Sequence, residues 1–493
     1  MNLKINNESF LYDAYGLVQA FYPGTKPNVF FNKEIDNDEN TIEIVVGDNA
    51  ITLTIDGQQC GTMDIDADNR SDTKNRLKRL IYEVLSKKTN QSLPWGTLTG
   101  IRPTKIPLKM YLNGQSDEAV SNYMKETYLC SDEKISLATK IAKRELSVIG
   151  DVKDKYALYI GIPFCPSICL YCSFSSYPIG LYKDKVDTYL DALIKEIAFV
   201  GTSFKDKMLD TVYVGGGTPS SLSDTQLDRL LNAVEGHLDL SHLREFTVEA
   251  GRPDSITREK LEVLERHGVE RISINPQTMH QKTLDLIGRY HSVEQFYDCY
   301  KLAREISEES KAKGGKGFLI NMDLIVGLPG ESKEDVKETL AIVKDLQPDN
   351  LTVHSLAIKR SSRLNIEWDS YEDELFENSG EIMWMVEKCA DEMEMQPYYM
   401  YRQKQISGNL ENIGFAPKGK ECLYNIEIME ELTDIVALGA GSACKKVGRT
   451  TEGALNIDTK VARCENVKDV DEYIARIDEM IQRKKELYNC NWN

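Results

Sequence analysis

From about residue 155 the chain alternates two apolar patterns. Short runs rich in β-branched and aromatic residues are "YALYIGI", "TVYVGG", "FTVEA", "RISINPQ", "LINMDLIVGL" and "NLTVHSLAI". Between them lie longer stretches with apolar residues at helical spacing: "YLDALIKEIAFVG", "TQLDRLLNAVEGH", "REKLEVLERHG", a segment around 292–306, and "KEDVKETLAIVKDL". Strands covered on both faces read as near-continuous apolar runs, and their alternation with helices marks parallel βα repeats. The fold class is therefore α/β. Six repeats predict an open, partial (β/α)6 barrel over residues 151–396, with a doubly wound sheet as the alternative.

The flanking regions follow other rules. In residues 1–150, "TIEIVVGDNAITLTIDG" alternates apolar and polar positions around Gly47-Asp48-Asn49, a hairpin pattern, and "NRLKRLIYEVLSKK" has helical spacing. These residues read as a separate N-terminal α+β domain of unknown role. Residues 397–493 read as a more irregular C-terminal accessory region. It holds "YYMYRQK", a strand-like "DIVALGAGSACK" and one final amphipathic helix, "VDEYIARIDEMIQRKKELY".

Charge narrows the possible partners. The chain has 493 residues and a formal net charge of −18, which opposes nonspecific binding of nucleic acid. The start, "MNLKINNESFLYDAYG", lacks the apolar stretch of a signal peptide, and no apolar run approaches the ~18 residues that would span a bilayer. A cytoplasmic protein without membrane or nucleic-acid partners is expected.

Of eleven cysteines, eight are scattered singly. The other three, Cys165, Cys169 and Cys172, share the loop "GIPFCPSICLYCSFSS" after the first barrel strand. Three thiolates can hold three irons of a cubane cluster and leave the fourth iron open to a small molecule, much as a catalytic zinc keeps one position free. A zinc site completed by a distant Cys or His is the alternative. Other polar and glycine-rich residues also gather where strands end, the edge at which parallel βα folds build active sites.

The ordered strings "YIGIPFCPSICLYCSF", "VYVGGGTPSSL", "VEAGRPDSIT", "RISINPQTMHQKTLDLIGRYHS", "NMDLIVGLPGES" and "LGAGSACK" resemble the radical S-adenosylmethionine (SAM) superfamily. More narrowly they resemble the oxygen-independent coproporphyrinogen III oxidases and their relatives. The N-terminal 150 residues, "LTGIRPTK" and "VHSLAIKRSSRL" are similar to the longer coproporphyrinogen dehydrogenase (HemZ-type) subfamily. The resemblance implies a 4Fe–4S cluster on Cys165, Cys169 and Cys172, with SAM on its open iron. It implies cofactor contacts from Tyr159, Tyr171, Gly216, Gly217, Thr218, Glu249, Gln277, Arg289 and Asp323, and a backbone contact to adenine from Ala357.

The activity implied is oxidative decarboxylation of coproporphyrinogen III to protoporphyrinogen IX by a 5′-deoxyadenosyl radical, in haem biosynthesis. A tetrapyrrole substrate and an electron donor of the flavodoxin or ferredoxin type would be the partners. Arg360, Arg363, Arg402 and Lys404 are basic spots that could receive propionates or be solvated surface charges, and His291 and His354 read as structural histidines. The sequence departs from the decarboxylating members at two places. It has Ser173-Phe174 where they carry a fourth cysteine two residues after the third, and Gly161 where they carry a histidine. Phenylalanine at position 174 is found in the haem-chaperone branch, so a haem chaperone and a radical enzyme acting on another tetrapyrrole stand as alternatives.

Overall fold

The computed structural model describes residues 1–32, 39–66, 68–371, 374, 376–403, 406–448 and 460–489. The chain forms two compact units, 1–143 with 401–411, and 144–400 with 412–493. No helix among the described residues is long and apolar enough to cross a membrane.

In the first unit, strands Thr41–Val46 and Ala50–Ile55 pair antiparallel around the Gly47–Asn49 turn. They belong to a five-stranded sheet covered by helices Leu11–Phe21 and Arg70–Thr89. Leu3, Ile44, Leu53, Leu77 and Ile81 fill the space between. Residues 401–411 return to this unit through buried polar pairing: the Trp95 indole donates to Glu411 at 2.8 Å, and Lys134 Nζ lies 2.7 Å from the same carboxylate. Arg402 is here too. Its guanidinium, 4% exposed, donates to the carbonyls of Leu98 at 2.5 Å and Asn409 at 3.0 Å. The basic spot expected at the surface is thus an interior brace, and burial lowers its pKa to about 10. Lys404 lies outside the described residues.

In the second unit the six predicted strands, Lys155–Ile162, Met208–Gly216, Glu245–Val248, Arg271–Ser273, Leu319–Val326 and Asn350–Ser355, stand side by side in chain order, all parallel. The helices between and after them include Val186–Ser203, Asp224–His237, Arg258–Arg266, Val293–Ala312, Lys333–Leu346 and Gly380–Glu392. Ser223, Ser292 and Ser332 start three of these with reciprocal capping boxes, satisfying amides that the first turn leaves free. Leu158, Val212, Phe246, Ile272, Met322 and Val353 are buried along the strands.

The region after residue 411 extends this sheet. Asn412–Ala416 pairs antiparallel with the sixth strand, and Asp434–Leu438 pairs parallel with the first. Ala443–Val447 and Val461–Glu465 continue beyond it, and Gln396–Tyr401 lies outside Asn412–Ala416 at the other edge, giving eleven strands in an open sheet among the described residues. Two details differ from the sequence reading. "DIVALGAGSACK" is two strands, because Gly439 and Gly441 (φ +92° and +72°) turn the chain between them. The final helix is two, Val470–Ala475 and Ile477–Asn489, interrupted at Arg476, whose ψ of 24° leaves the helical range. They dock on helix Val186–Ser203 through Glu196, which accepts from Tyr473 at 2.6 Å and Lys484 at 2.7 Å.

A Cβ at Gly439 would lie 2.3 Å from the Gly161 carbonyl oxygen, on a backbone that side chains disfavour. Gly439→Ala is expected to lower stability by about 3 kcal/mol, read as a fall in the urea midpoint. Gly419→Ala, also at positive φ but with open space around its Cβ, should cost at most about 1 kcal/mol.

Candidate functional site

The cysteine loop leaves the first strand at Ile162 and crosses the end of the second. Gly217 N–H donates to the Ile162 carbonyl and Thr218 N–H to the Phe164 carbonyl, each at 2.7 Å. A Cβ on Gly217 would lie 2.6 Å from the Phe164 oxygen and 2.9 Å from Cys165 Sγ. Gly216 has φ +111°, and the same addition would meet Ile162 O at 3.1 Å. These two glycines therefore permit backbone to pass directly beneath Cys165, while the Thr218 hydroxyl points at its sulfur, 3.5 Å away.

Farther along the loop, Leu170 is the anchor. Its N–H donates to Ile287 O and its carbonyl accepts from Leu364 N–H, both at 2.9 Å. Its side chain packs among Leu284, Ile325, Leu328 and Leu356. Cys169 and Tyr171 flank this fixed point. Burial pushes the Cys165 thiol up to about 11 and also raises Cys172, and each sulfur feels its neighbours' charge. Loading a metal centre here must release protons. Among the described residues no three Cys, His, Asp or Glu side chains are grouped to hold a single metal ion. Ligands of a cubane bind different irons and need not converge on one point.

Around the loop, the remaining predicted positions come to the same sheet edge. Tyr159, on the first strand, stacks against Tyr213 and Tyr424, with ring centroids 6.3 and 6.2 Å away. Glu249, one residue past the third strand, accepts from the Tyr213 hydroxyl at 2.5 Å. Asp323 lies on the fifth strand, and Ala357 just beyond the sixth. Gln277 is held at φ +65° by its N–H donating to Asp323 O at 2.9 Å, and its side-chain carbonyl is buried with no partner among the described residues. Arg289 is buried, donating to the carbonyls of Gly251 at 2.9 Å and Asn275 at 2.6 Å and to the Tyr171 hydroxyl at 3.3 Å. Its Nε has no partner among the described residues.

Two residues that the motifs did not single out complete this shell. Asn275 bridges neighbouring segments, donating to Asp323 Oδ2 at 2.7 Å and accepting from the Asp323 N–H at 3.1 Å. Arg252 reaches the cysteine loop, with Nη1 3.6 Å from Cys169 Sγ. Both fall inside the strings "VEAGRPDSIT" and "RISINPQTMHQKTLDLIGRYHS", just past strand ends, but nothing in residue type or spacing marks their roles. His354 stands 4.0 Å from Asp323 and burial lowers its pKa. His291 is fully buried with neither ring nitrogen partnered among the described residues, and burial beside Arg289 lowers its pKa to about 3. Of the basic residues after the sixth strand, Arg363 pairs with Glu367 and Arg360 is exposed.

The donor chemistry suits an iron–sulfur centre with an amino-acid-bearing nucleoside beside it. There are three soft thiols on a pinned loop, a glycine floor beneath one of them, and buried, incompletely paired polar groups on Gln277 and Arg289. A family model, the radical SAM superfamily, matches residues 159–343. The chain is 39% identical over 417 residues to the oxygen-independent coproporphyrinogen-III oxidase-like protein HemZ of Bacillus subtilis, spanning 83% of this chain and 80% of that protein. It is 34% identical to the heme chaperone HemW of the same organism, over 44% of this chain and 57% of that protein. Coproporphyrinogen III oxidase (HemN) from Escherichia coli, a radical SAM enzyme, shares the fold with a TM-score of 0.51 at 22% identity, over 69% of this chain and 73% of that one. The chain belongs to the radical SAM superfamily and, within it, to the family of the HemZ coproporphyrinogen-III oxidase-like protein. The cofactors of that superfamily are a 4Fe–4S cluster and SAM.

Burial raises the Glu249 carboxyl to about 7, and burial likewise raises Glu331 to about 7. An unfolded glutamate ionises near 4.5, so the folded protein holds extra protons between those values. These two carboxyls therefore contribute stability that is lost as pH rises from about 4.5 to 7, while His291, whose pKa is lowered, contributes in the opposite direction over part of that range. In urea titrations at pH 5 and 7.5, the stability of Glu249→Gln relative to the wild type should increase between the two pH values, and an unchanged difference would contradict the assignment.

Proposed function

We propose that this chain catalyses the oxygen-independent oxidative decarboxylation of coproporphyrinogen III to protoporphyrinogen IX. The observation that carries the reading is the extent of the HemZ match, which takes in most of both chains, whereas the match to HemW of Bacillus subtilis covers 44% of this one. In this reading Cys165, Cys169 and Cys172 hold the cluster. Tyr159, Tyr171, Gly216, Gly217, Thr218, Glu249, Gln277, Arg289, Asp323 and the Ala357 backbone surround SAM. Once bound, the cluster and SAM supply a 5′-deoxyadenosyl radical that removes a β-hydrogen from a propionate.

The chain's own groups bind and orient. Arg289 offers a cation suited to the methionyl carboxylate, while Glu249 and Asp323 offer acceptors for the ammonium and the ribose hydroxyls. Glycines 216 and 217 leave room for the amino end. Each propionate would lose one β-hydrogen atom, which ends up in 5′-deoxyadenosine, together with CO₂ and one electron that passes to an acceptor, leaving a vinyl group. A flavodoxin- or ferredoxin-type donor would supply the electron that each turnover requires.

A second reading, a haem chaperone, is favoured by Phe174, which is 74% exposed two residues after Cys172. An anaerobic assay separates the two. The iron-reconstituted protein is incubated with SAM, reductant and coproporphyrinogen III, and products are followed by mass spectrometry. The expected result is loss of two CO₂ per tetrapyrrole with matching 5′-deoxyadenosine, both abolished by Cys169→Ala. Deoxyadenosine without a changed tetrapyrrole, together with stable haem binding, would overturn the oxidase reading in favour of the chaperone.

A further inference from the structure

Arg252 is a buried cation, 3% exposed, whose donors are shared between one carboxylate and the cysteine loop. Nε and Nη2 grip Asp254 in a bidentate pair, at 2.9 Å to Oδ1 and 2.7 Å to Oδ2. Nη2 also reaches Ser167 Oγ at 3.1 Å, and Nη1 reaches the Ser167 carbonyl at 3.4 Å and Cys169 Sγ at 3.6 Å. The backbone beneath it is fixed. The Arg252 carbonyl accepts from Ser255 Oγ at 2.7 Å, and Ser255 Oγ contacts Ser220 Oγ at 2.6 Å. The following Pro253 holds Arg252 in extended backbone (φ −117°, ψ 110°).

We propose that Arg252 is a positioning residue that sets the reduction potential of the cluster, through its charge and its N–H···S contact at Cys169. This rests on the reading of the three cysteines as cluster ligands. A cluster gains one negative charge when reduced, so a cation held against one of its thiolates favours the reduced form. The surroundings are dry enough for the charge to count, since Cys169 is buried beside it. Asp254 plays two opposed parts. Its fork aims the guanidinium at the loop, and its negative charge partly offsets the cation. Lysine at this position keeps the charge but cannot make the fork and the sulfur contact together. By favouring the reduced form Arg252 eases uptake of an electron from the donor, and the Asp254 carboxylate limits how much driving force for onward transfer is given up.

The test uses the full chain, reconstituted anaerobically with iron and sulfide and without SAM. Iron content is measured per chain, and the potential is read by electron paramagnetic resonance during a redox titration. Arg252→Gln should lower the ratio of reduced to oxidised cluster at a fixed applied potential about tenfold, a downward shift of 59 mV for one electron. Asp254→Asn should shift it upward, and Arg252→Lys should fall between wild type and Arg252→Gln. Equal potentials in wild type and Arg252→Gln, or shifts of the same sign in Arg252→Gln and Asp254→Asn, would overturn the proposal. If Arg252→Gln takes up no cluster, the opposite displacements of Arg252→Lys and Asp254→Asn decide it. Failure of the underlying reading looks different, since Cys169→Ala would then load as much iron as the wild type.

Discussion

The site depends on one close approach of backbone to backbone. Strands Lys155–Ile162 and Met208–Gly216 run in a register that sets Gly161 beside Gly215 and Ile162 beside Gly216. Where they end, Gly217 and Thr218 pass under the cysteine loop and donate two short backbone hydrogen bonds, to the carbonyls of Ile162 and Phe164. On the other side of the first strand, Gly439 presses against the Gly161 carbonyl. The loop that carries the thiols is therefore held between two glycine contacts before any side chain matters. A Cβ at Gly161 itself would meet Leu438 O at 3.2 Å and the Tyr159 ring at 3.3 Å, so this chain's glycine at a position occupied by histidine in decarboxylating relatives sits in tight surroundings.

The rest of the loop is fixed by a different force. Leu170 alternates with functional residues, Cys169 before it and Tyr171 after it, and buries its side chain among aliphatic residues from the following strands and loops. Burying one leucine gives about 2 kcal/mol, and its two backbone hydrogen bonds remove the remaining freedom of the segment. The loop can then carry polar groups without collapsing, because the apolar anchor and the thiols point to different neighbours. Strand order does the same for the shell around it, bringing Glu249, Gln277, Arg289 and Asp323 to one edge from positions far apart in the chain.

Much of this was legible in the sequence, for identifiable reasons. Six buried parallel strands write long apolar runs, and the helices between them write a 3.6-residue period, so "LINMDLIVGL" and "KEDVKETLAIVKDL" announced their structure. The three cysteines stood out because soft ligands rarely cluster by chance. What was not legible depends on tertiary register. Arg402 reads as a surface cation and is an interior brace, because the carbonyls that receive it come from residue 98 as well as from its own neighbourhood. "DIVALGAGSACK" reads as one strand until the conformations of Gly439 and Gly441 are known. Asn275 and Arg252 carry no pattern of their own, since the groups they serve lie 48 and 83 residues away.

The charge distribution adds a final constraint. A chain with a net charge of −18 repels anions over most of its surface, yet it buries Arg252 and Arg289 against the cysteine loop, at Cys169 and Tyr171. Burying a guanidinium costs several kcal/mol unless it is paired, and each arginine here is paired differently. Arg252 has a full carboxylate, so its net field is softened while its direction is fixed. Among the described residues Arg289 hydrogen-bonds to carbonyl and hydroxyl oxygens and to no carboxylate, so its charge is less offset and suits an incoming anion. The same residue type thus does two jobs: the compensated cation suits a permanent anionic centre, and the less compensated one suits a ligand that arrives and leaves.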